Sequence, residues 1–239
     1  MDFKIAIAMA TYNGNKYLVD QMDSILENMK PQDELWISDD GSTDGTWELL
    51  EHYEAADGRI HLLKGPGKGI KQNIACAIAA CQGDYIFLTD QDDIWAMNKR
   101  QQVMETFLAT GATLVVHDAR VVKEDGKTTM YPSFFEYRNC GAGVWKNIWK
   151  NTYIGCCMAF CSELKSQILP IPDNIEMHDQ WIGILNEKCL GKSVFIKEPL
   201  LNYRRHEDNT SSFSHYGWKK MLRNRLVLIH QLHLRKKKN

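Results

Sequence analysis

A chain of 239 residues with 44% hydrophobic and 25% charged residues has the balance of a soluble globular protein, long enough for one large domain with a small appendage. That excludes a disordered chain, a collagenous one and a small disulfide scaffold. The net charge of -1 hides a split: no Asp or Glu follows Asp208, and the eight Lys and Arg beyond it leave -9 on residues 1–208 with His neutral, so the basic end points to an anionic partner, either a membrane surface or a nucleic acid.

Phe3–Met9 is short and apolar and reads as a buried strand ending in Thr11-Tyr12-Asn13-Gly14. Tyr17, Leu18, Met22, Ile25, Leu26 and Met29 recur at helical spacing until Pro31. Leu35–Ser38 is a second strand, followed by the turn cluster Asp39–Gly45 and a helix over 46–55. Ile60–Leu63 is a third strand. A loop rich in glycine, Gly65–Gly69, leads into an alanine-rich helix over Ile70–Cys81. Tyr85–Leu88 is a fourth strand and runs into Thr89-Asp90-Gln91-Asp92-Asp93. This alternation through residue 110 predicts an α/β fold with a mostly parallel sheet and helices on both faces.

The second half is less regular. Thr113–His117 and Tyr153–Phe160 read as strands, with a hairpin at Asp125-Gly126 between them. A helix is expected after His178, short strands at Val194–Ile196 and Leu200–Tyr203, and an amphipathic helix over 216–238. No apolar run is long enough for a membrane span or a signal-peptide core. Without an export signal the cytosol is the expected compartment, and seven cysteines fit a reducing one. Cys156, Cys157 and Cys161 lack the paired spacing of a zinc site.

In a parallel sheet ligands bind beyond the carboxyl ends of the strands. Three polar clusters fall there: Thr11–Asn13, Asp39-Asp40 and Asp90–Asp93. Three carboxylates within Asp90-Gln91-Asp92-Asp93 repel one another, and a divalent cation such as Mg2+ or Mn2+ relieves the repulsion. The plainer reading is an acidic turn capping a helix. Asp39-Asp40-Gly41-Ser42 reads either as an acceptor for a nucleobase N–H or as an Asx turn. His178-Asp179-Gln180-Trp181 reads as a general base or as a helix N-cap. Tyr203-Arg204-Arg205-His206 suits a diphosphate and a metal, or a basic surface patch paired with Glu207 and Asp208. The tail stripe Trp218, Met221, Leu222, Leu226, Ile229 and Leu232 suits packing on the domain, a homodimer or a membrane face.

Taken in order, these strings resemble the family 2 glycosyltransferases with the GT-A fold. Met9–Gly14 resembles the first-strand motif of that family, Asp39–Asp44 its DDGSxD turn, and Asp90–Trp95 its DxDD motif in the form common among bacterial rhamnosyltransferase-like members. His178–Trp181 matches its base motif. Tyr203–His206 with Asn209-Thr210-Ser211 matches the YRxH stretch of the same subgroup.

The resemblance implies a GT-A domain over 1–212, with a nucleotide-sugar half over 1–110 and an acceptor half over 111–212, and a basic amphipathic helix over 213–239. It implies that Ala10, Tyr12 and Asp40 line the nucleobase pocket, that Asp90 faces the ribose or sugar, and that Asp92 binds Mn2+ or Mg2+ with His206 as a further ligand. It makes Asp179 the general base and Arg204 or Arg205 a phosphate clamp. Many members carry an Arg-Asn pair in the helix after the third strand; Gln72-Asn73 stands here, with Lys68 and Lys71 nearby as lysines to supply the charge. The implied activity is inverting transfer from a UDP- or dTDP-sugar to a saccharide or lipid-linked saccharide in cell-surface polysaccharide synthesis, at the inner face of the plasma membrane. The alternatives are a sugar nucleotidyltransferase, which lacks its basic loop after the first strand, and a non-catalytic nucleotide-sugar-binding subunit. Nucleic acid is a poor partner for so acidic a body.

Overall fold

The computed structural model describes residues 3–207, 209 and 217–236. The first half alternates as β1 (Ile5–Thr11), α1 (Asn15–Asn28), β2 (Glu34–Asp39), α2 (Thr46–Ala56), β3 (Ile60–Lys64), α3 (Ile70–Ala80) and β4 (Tyr85–Thr89). Every residue of β1 is buried. Side chains alternate between the two faces of a strand, so both faces of the sheet are covered here.

β1 pairs in parallel with β2 and β4, and β2 in parallel with β3. The strand order β3-β2-β1-β4 reverses between β1 and β4. Such a switch point opens a crevice at the carboxyl ends of the two strands.

The chain continues with β5 (Ile94–Trp95), α4 (Lys99–Thr110), β6 (Leu114–Val122), β7 (Thr129–Tyr131), α5 (Phe134–Arg138), α6 (Val144–Trp149), β8 (Met158–Cys161), α7 (Lys165–Ile168), α8 (His178–Cys189), β9 (Ser193–Arg204) and α9 (Trp218–Lys236). β8 inserts antiparallel between β4 and β6, β9 runs parallel to β6, and β5 closes the order β3-β2-β1-β4-β8-β6-β9-β5. One sheet therefore runs through both halves. The expected hairpin at Asp125-Gly126 joins β6 to β7, with Asp125 accepting from the Lys127 and Thr128 N–H groups.

Several elements differ from the sequence reading. Tyr153–Phe160 is not one strand: a 3-10 turn at Gly155–Cys157 precedes the short β8. The two short strands at 194–203 are one twelve-residue strand, β9. Its Pro199 sits beside shifts in register opposite Asp118, where a missing N–H breaks no regular ladder. Helix α4 escaped the sequence reading because its buried face opens with charge. Lys99 is 1% exposed and Arg100 7%, ahead of Val103, Met104 and Phe107. Arg100 makes a bidentate pair with buried Asp33, Nε–Oδ2 2.6 Å and Nη2–Oδ1 3.0 Å. Lys99 Nζ lies 3.9 Å from the Trp95 ring centroid and donates to the Cys156 carbonyl at 3.0 Å.

Helix α9 docks through only part of the expected stripe, Leu232 and half-buried Met221, together with Leu228, which lay outside it. Leu228 and Leu232 are buried, whereas Trp218, Leu222, Leu226 and Ile229 are exposed. Residues 213–216 and 237–239 of the expected C-terminal unit lie outside the described residues. All seven cysteines are free of disulfides. Among the described residues, no helix is long and apolar enough to cross a membrane.

Candidate functional site

A cavity of ≈ 1450 Å³ opens at the carboxyl ends of β1 and β4 and is lined by Ala10, Tyr12, Asp40, Asp90, Asp92 and Asp179, among others. The three clusters that the sequence placed at strand ends thus share one space with a residue of α8. Lys68, Asn73, Tyr203, His206 and Asn209 also line it.

The two aspartates after β2 divide their work. Asp39 is buried and serves the turn, accepting from Thr11 Oγ1 (2.8 Å), Ser42 N (2.8 Å) and Ser42 Oγ (2.6 Å). Asp40 lines the cavity and accepts from Gly67 N at 2.7 Å and Gly69 N at 2.6 Å. It orders the glycine loop that carries exposed Lys68. A carboxylate offers about four lone-pair directions, so Asp40 keeps capacity for a ligand. Asn73 is buried and donates through Nδ2 to the Thr11 carbonyl at 3.0 Å. Lys71 is committed elsewhere, to the carbonyls of Asp173 and Ile175, which leaves Lys68 as the loop's charge toward the cavity.

The acidic turn after β4 is tightly built. Burial, followed by the charges of Asp92 and Asp179, pushes the Asp90 carboxyl up to about 7. Burial, followed by the charges of Asp92 and Asp90, pushes Asp93 well above the ordinary carboxylate range. Asp92 Oδ2 meets His206 Nε2 at 2.7 Å and Asn209 Nδ2 at 3.1 Å. Tyr17 packs against His206 with the rings tilted and their centroids 4.4 Å apart. These residues fit a divalent cation. Asp93 Oδ2 is buried without a hydrogen-bond partner among the described residues. Asp90 resists ionisation until a cation offsets its neighbours. Carboxylate oxygens with one imidazole suit Mn2+ or Mg2+. Asp90, Asp93 and Cys156 also bring ligand atoms within 4.8 Å of one another. The sequence reading treated that cysteine only as buried filler.

Asp179 stands in the first turn of α8. The N-cap position is Met177, and no side chain caps the helix, so the N-cap reading of Asp179 is not what the structure shows. Its Oδ1 accepts from Asn151 Nδ2 at 3.0 Å and from Gln180 N at 2.6 Å. Burial pushes its carboxyl up to about 6, against the pull of those hydrogen bonds. Gly155 gives room for this corner, since a Cβ there would come within 2.8 Å of His178 Nε2.

Two expected residues do not reach the cavity. The Arg204 side chain is 5% exposed and pairs with Asp20 Oδ2 at 2.7 Å, while Nη1 donates to the Glu124 carbonyl at 3.1 Å. Its guanidinium is turned toward α1, which corrects the phosphate-clamp expectation for it. Arg205 also lies off the cavity wall, and its backbone N–H donates to Val122 O at 2.9 Å. Among the described residues the acidic partner of Arg204 is Asp20 rather than Glu207; Asp208, named in the alternative pairing, lies outside them. Thr210 and Ser211 lie outside the described residues.

Three contributors were missed. Gln91, inside the acidic motif, holds the Tyr12 backbone. Asn151 orients Asp179 from a segment without periodicity. His178 lines the cavity, and burial depresses its imidazole to about 4. Gln91 and His178 had a sequence signal, their places inside the DxDD and base motifs, whereas Asn151 had none.

Comparison with known proteins agrees with this geometry. The model of Glycosyl transferase family 2 matches residues 6–168. The chain is 28% identical over 220 residues to the dTDP-rhamnosyl transferase RfbG of Shigella flexneri, covering 84% of this chain and 72% of that protein. It is 26% identical over 213 residues to TuaG of Bacillus subtilis, named for glycosyl transfer in teichuronic acid biosynthesis, covering 87% and 81%. Among solved structures, residues 1–349 of S. aureus TarS in complex with UDP-GlcNAc superpose with a TM-score of 0.71 at 16% identity, over 95% of this chain. The chain spans 66% of that TarS fragment. The mannosyltransferase PcManGT of Pyrobaculum calidifontis, in complex with GDP-Man and Mn2+, superposes with a TM-score of 0.63 at 16% identity, over 98% of this chain and 65% of that one. The shared architecture is the GT-A fold.

Proposed function

The chain belongs to glycosyl transferase family 2, and from that premise we propose that it moves a sugar, with inversion, from a UDP- or dTDP-sugar to a hydroxyl of a saccharide or lipid-linked saccharide in polysaccharide synthesis. The observation that carries the reading is the shared cavity, with Asp40 and Asp92 on the strand ends and Asp179 on α8. The donor preference follows RfbG, a dTDP-rhamnosyl transferase, and TarS, solved in complex with UDP-GlcNAc.

In this reading Tyr12, 58% exposed, offers its ring beside Ala10 to the base, and Asp40 accepts from a base N–H. Lys68 and the Gly67 to Gly69 loop face the diphosphate. Asp90 faces the ribose or sugar, and Asn73 fixes the floor of the nucleotide pocket. Asp92 and His206 would hold Mn2+ or Mg2+, which when bound supplies charge neutralisation to the departing diphosphate. Asp179 takes the proton of the acceptor hydroxyl on its carboxylate. A base whose pKa lies near 6 is ionised at neutral pH yet still a competent acceptor. A single displacement needs no enzyme nucleophile, so the anomeric centre inverts. Near the cavity, the exposed row Trp218, Leu222, Leu226 and Ile229, together with Lys219, Lys220 and Arg223, fits contact with an anionic membrane face.

A thermal-shift panel of nucleoside diphosphates with and without Mn2+ tests the reading, because a bound ligand stabilises by mass action. UDP or dTDP should raise Tm, and more so with Mn2+. In Asp92→Ala the Mn2+ increment should vanish. A panel in which no nucleoside diphosphate moves Tm defeats the proposal.

A further inference from the structure

We propose that the acceptor presents a negatively charged group to a cationic wall of the cavity formed by Arg138, Lys150 and Arg225. The inference rests on the transferase reading above and deepens it, by naming the chemistry of the second substrate.

The three side chains come from three elements, the end of α5, the residue after α6, and α9, and all line the cavity. Contacts link them into one surface. Lys150 Nζ donates to the Arg138 carbonyl at 3.4 Å. Arg225 donates through Nε (3.1 Å) and Nη2 (2.7 Å) to the Trp149 carbonyl, and its guanidinium lies 4.1 Å from the Trp149 ring centroid. Carbonyls order Lys150 and Arg225 without neutralising them. None of the three forms an ion pair with an acidic side chain among the described residues. The nearby lining carboxylate, Glu176, accepts from Asn224 Nδ2 at 2.6 Å.

Position ties this wall to the acceptor rather than the donor. The donor residues sit at the ends of β1, β2 and β4. The wall runs directly into Asn151, the chain neighbour of Lys150, and Asn151 holds Asp179. A hydroxyl brought to Asp179 therefore arrives with its substrate lying beside Lys150 and Trp149. Trp149 is 70% exposed and gives a flat, amphipathic face for a sugar ring. Within a body carrying -9, a patch of unneutralised cations beside the general base selects an anion by attraction and penalises a neutral competitor. The shared chemistry is a carboxylate or phosphate oxygen, from either a uronate in the saccharide or the diphosphate of a lipid carrier.

The test is calorimetric titration of the full chain saturated with Mn2+ and the nucleoside diphosphate that stabilises it most. Two matched pairs serve as probes: hyaluronan tetrasaccharide against chitotetraose, and geranyl diphosphate against geraniol. At least one anionic member should bind about tenfold tighter than its neutral counterpart. That preference should shrink in about 0.5 M NaCl and in Lys150→Gln and Arg225→Gln. Both substitutions replace solvent-facing charge, and an unchanged Tm confirms the fold. A preference for the tetrasaccharide locates the charge on the sugar; a preference for the diphosphate locates it on the carrier. No preference in either pair, or a preference that survives both substitutions, overturns the inference. Failure of the wild type to bind any nucleoside diphosphate would instead defeat the transferase reading beneath it.

Discussion

The carboxamide of Gln91 closes a two-bond clamp on the backbone of Tyr12: Oε1 accepts the Tyr12 N–H at 2.8 Å, and Nε2 donates to the Tyr12 carbonyl at 3.0 Å. The clamp joins the loops after β1 and β4 across the switch point, so the proposed base pocket and the acidic turn move as one body. It also explains Gly14, where a Cβ would lie 2.3 Å from Gln91 Oε1.

Removing the clamp should loosen donor binding without touching the base. Each exposed hydrogen bond contributes about 0.5–1.5 kcal/mol, so Gln91→Ala should weaken nucleoside diphosphate binding by roughly 5- to 100-fold. Gly14→Ala should act in the same direction by displacing the carboxamide. Titration of UDP and dTDP with Mn2+ measures both. Wild-type affinity in Gln91→Ala would show that the Tyr12 loop is held by other means.

Asp179 gives opposite predictions for activity and stability. Its carboxyl must be ionised to accept a proton, so kcat/KM should fall below about pH 6, and Asp179→Asn should cost about 10²–10⁴ in rate. For stability, the folded pKa of about 6 lies above an unfolded value of about 3.9. The folded state therefore binds the proton more tightly, and stability declines as pH rises from about 4 to about 6. Above that window the burial cost of the charge is complete. Asp179→Asn should then be more stable than wild type by on the order of 2–3 kcal/mol at pH 7.5, with little difference at pH 4. Thermal unfolding at the two pH values checks this, and an equal Tm difference at both would contradict the assigned burial cost.

Arg204 should behave as a structural residue. Its guanidinium spans Asp20 and the Glu124 carbonyl, and its backbone N–H donates to Asp93 at 3.1 Å. Arg204→Gln should lower stability by about 1–3 kcal/mol while leaving the affinity for nucleoside diphosphate in Mn2+ within about twofold. A large loss of nucleotide affinity at unchanged Tm would return Arg204 to the phosphate.

Much of the fold was legible because its signals are local. β1 shows its burial as an unbroken apolar run, and α1 shows its face in Leu18, Met22 and Ile25. The polar clusters Thr11–Asn13, Asp39-Asp40 and Asp90–Asp93 mark where strands end, and parallel strands necessarily put those ends on one edge. Neither signal survives when a helix buries charge, as α4 does with Lys99 and Arg100, whose partners Asp33, Trp95 and the Cys156 carbonyl lie in other elements.

The amino-acid order by itself determined the alternating first half, the edge on which the polar clusters gather, and the candidate carboxylates. Only the tertiary structure decided how adjacent like residues share their roles: Asp39 turns into the loop and Asp40 to the cavity, and Arg204 turns to Asp20. It also decided that Asn151 would hold Asp179 and that Leu228, rather than Leu226, would face the domain. Composition and spacing are properties of a short stretch, whereas the direction of a side chain depends on partners as distant in sequence as Asp20 is from Arg204, and those meet only when the sheet has closed around them.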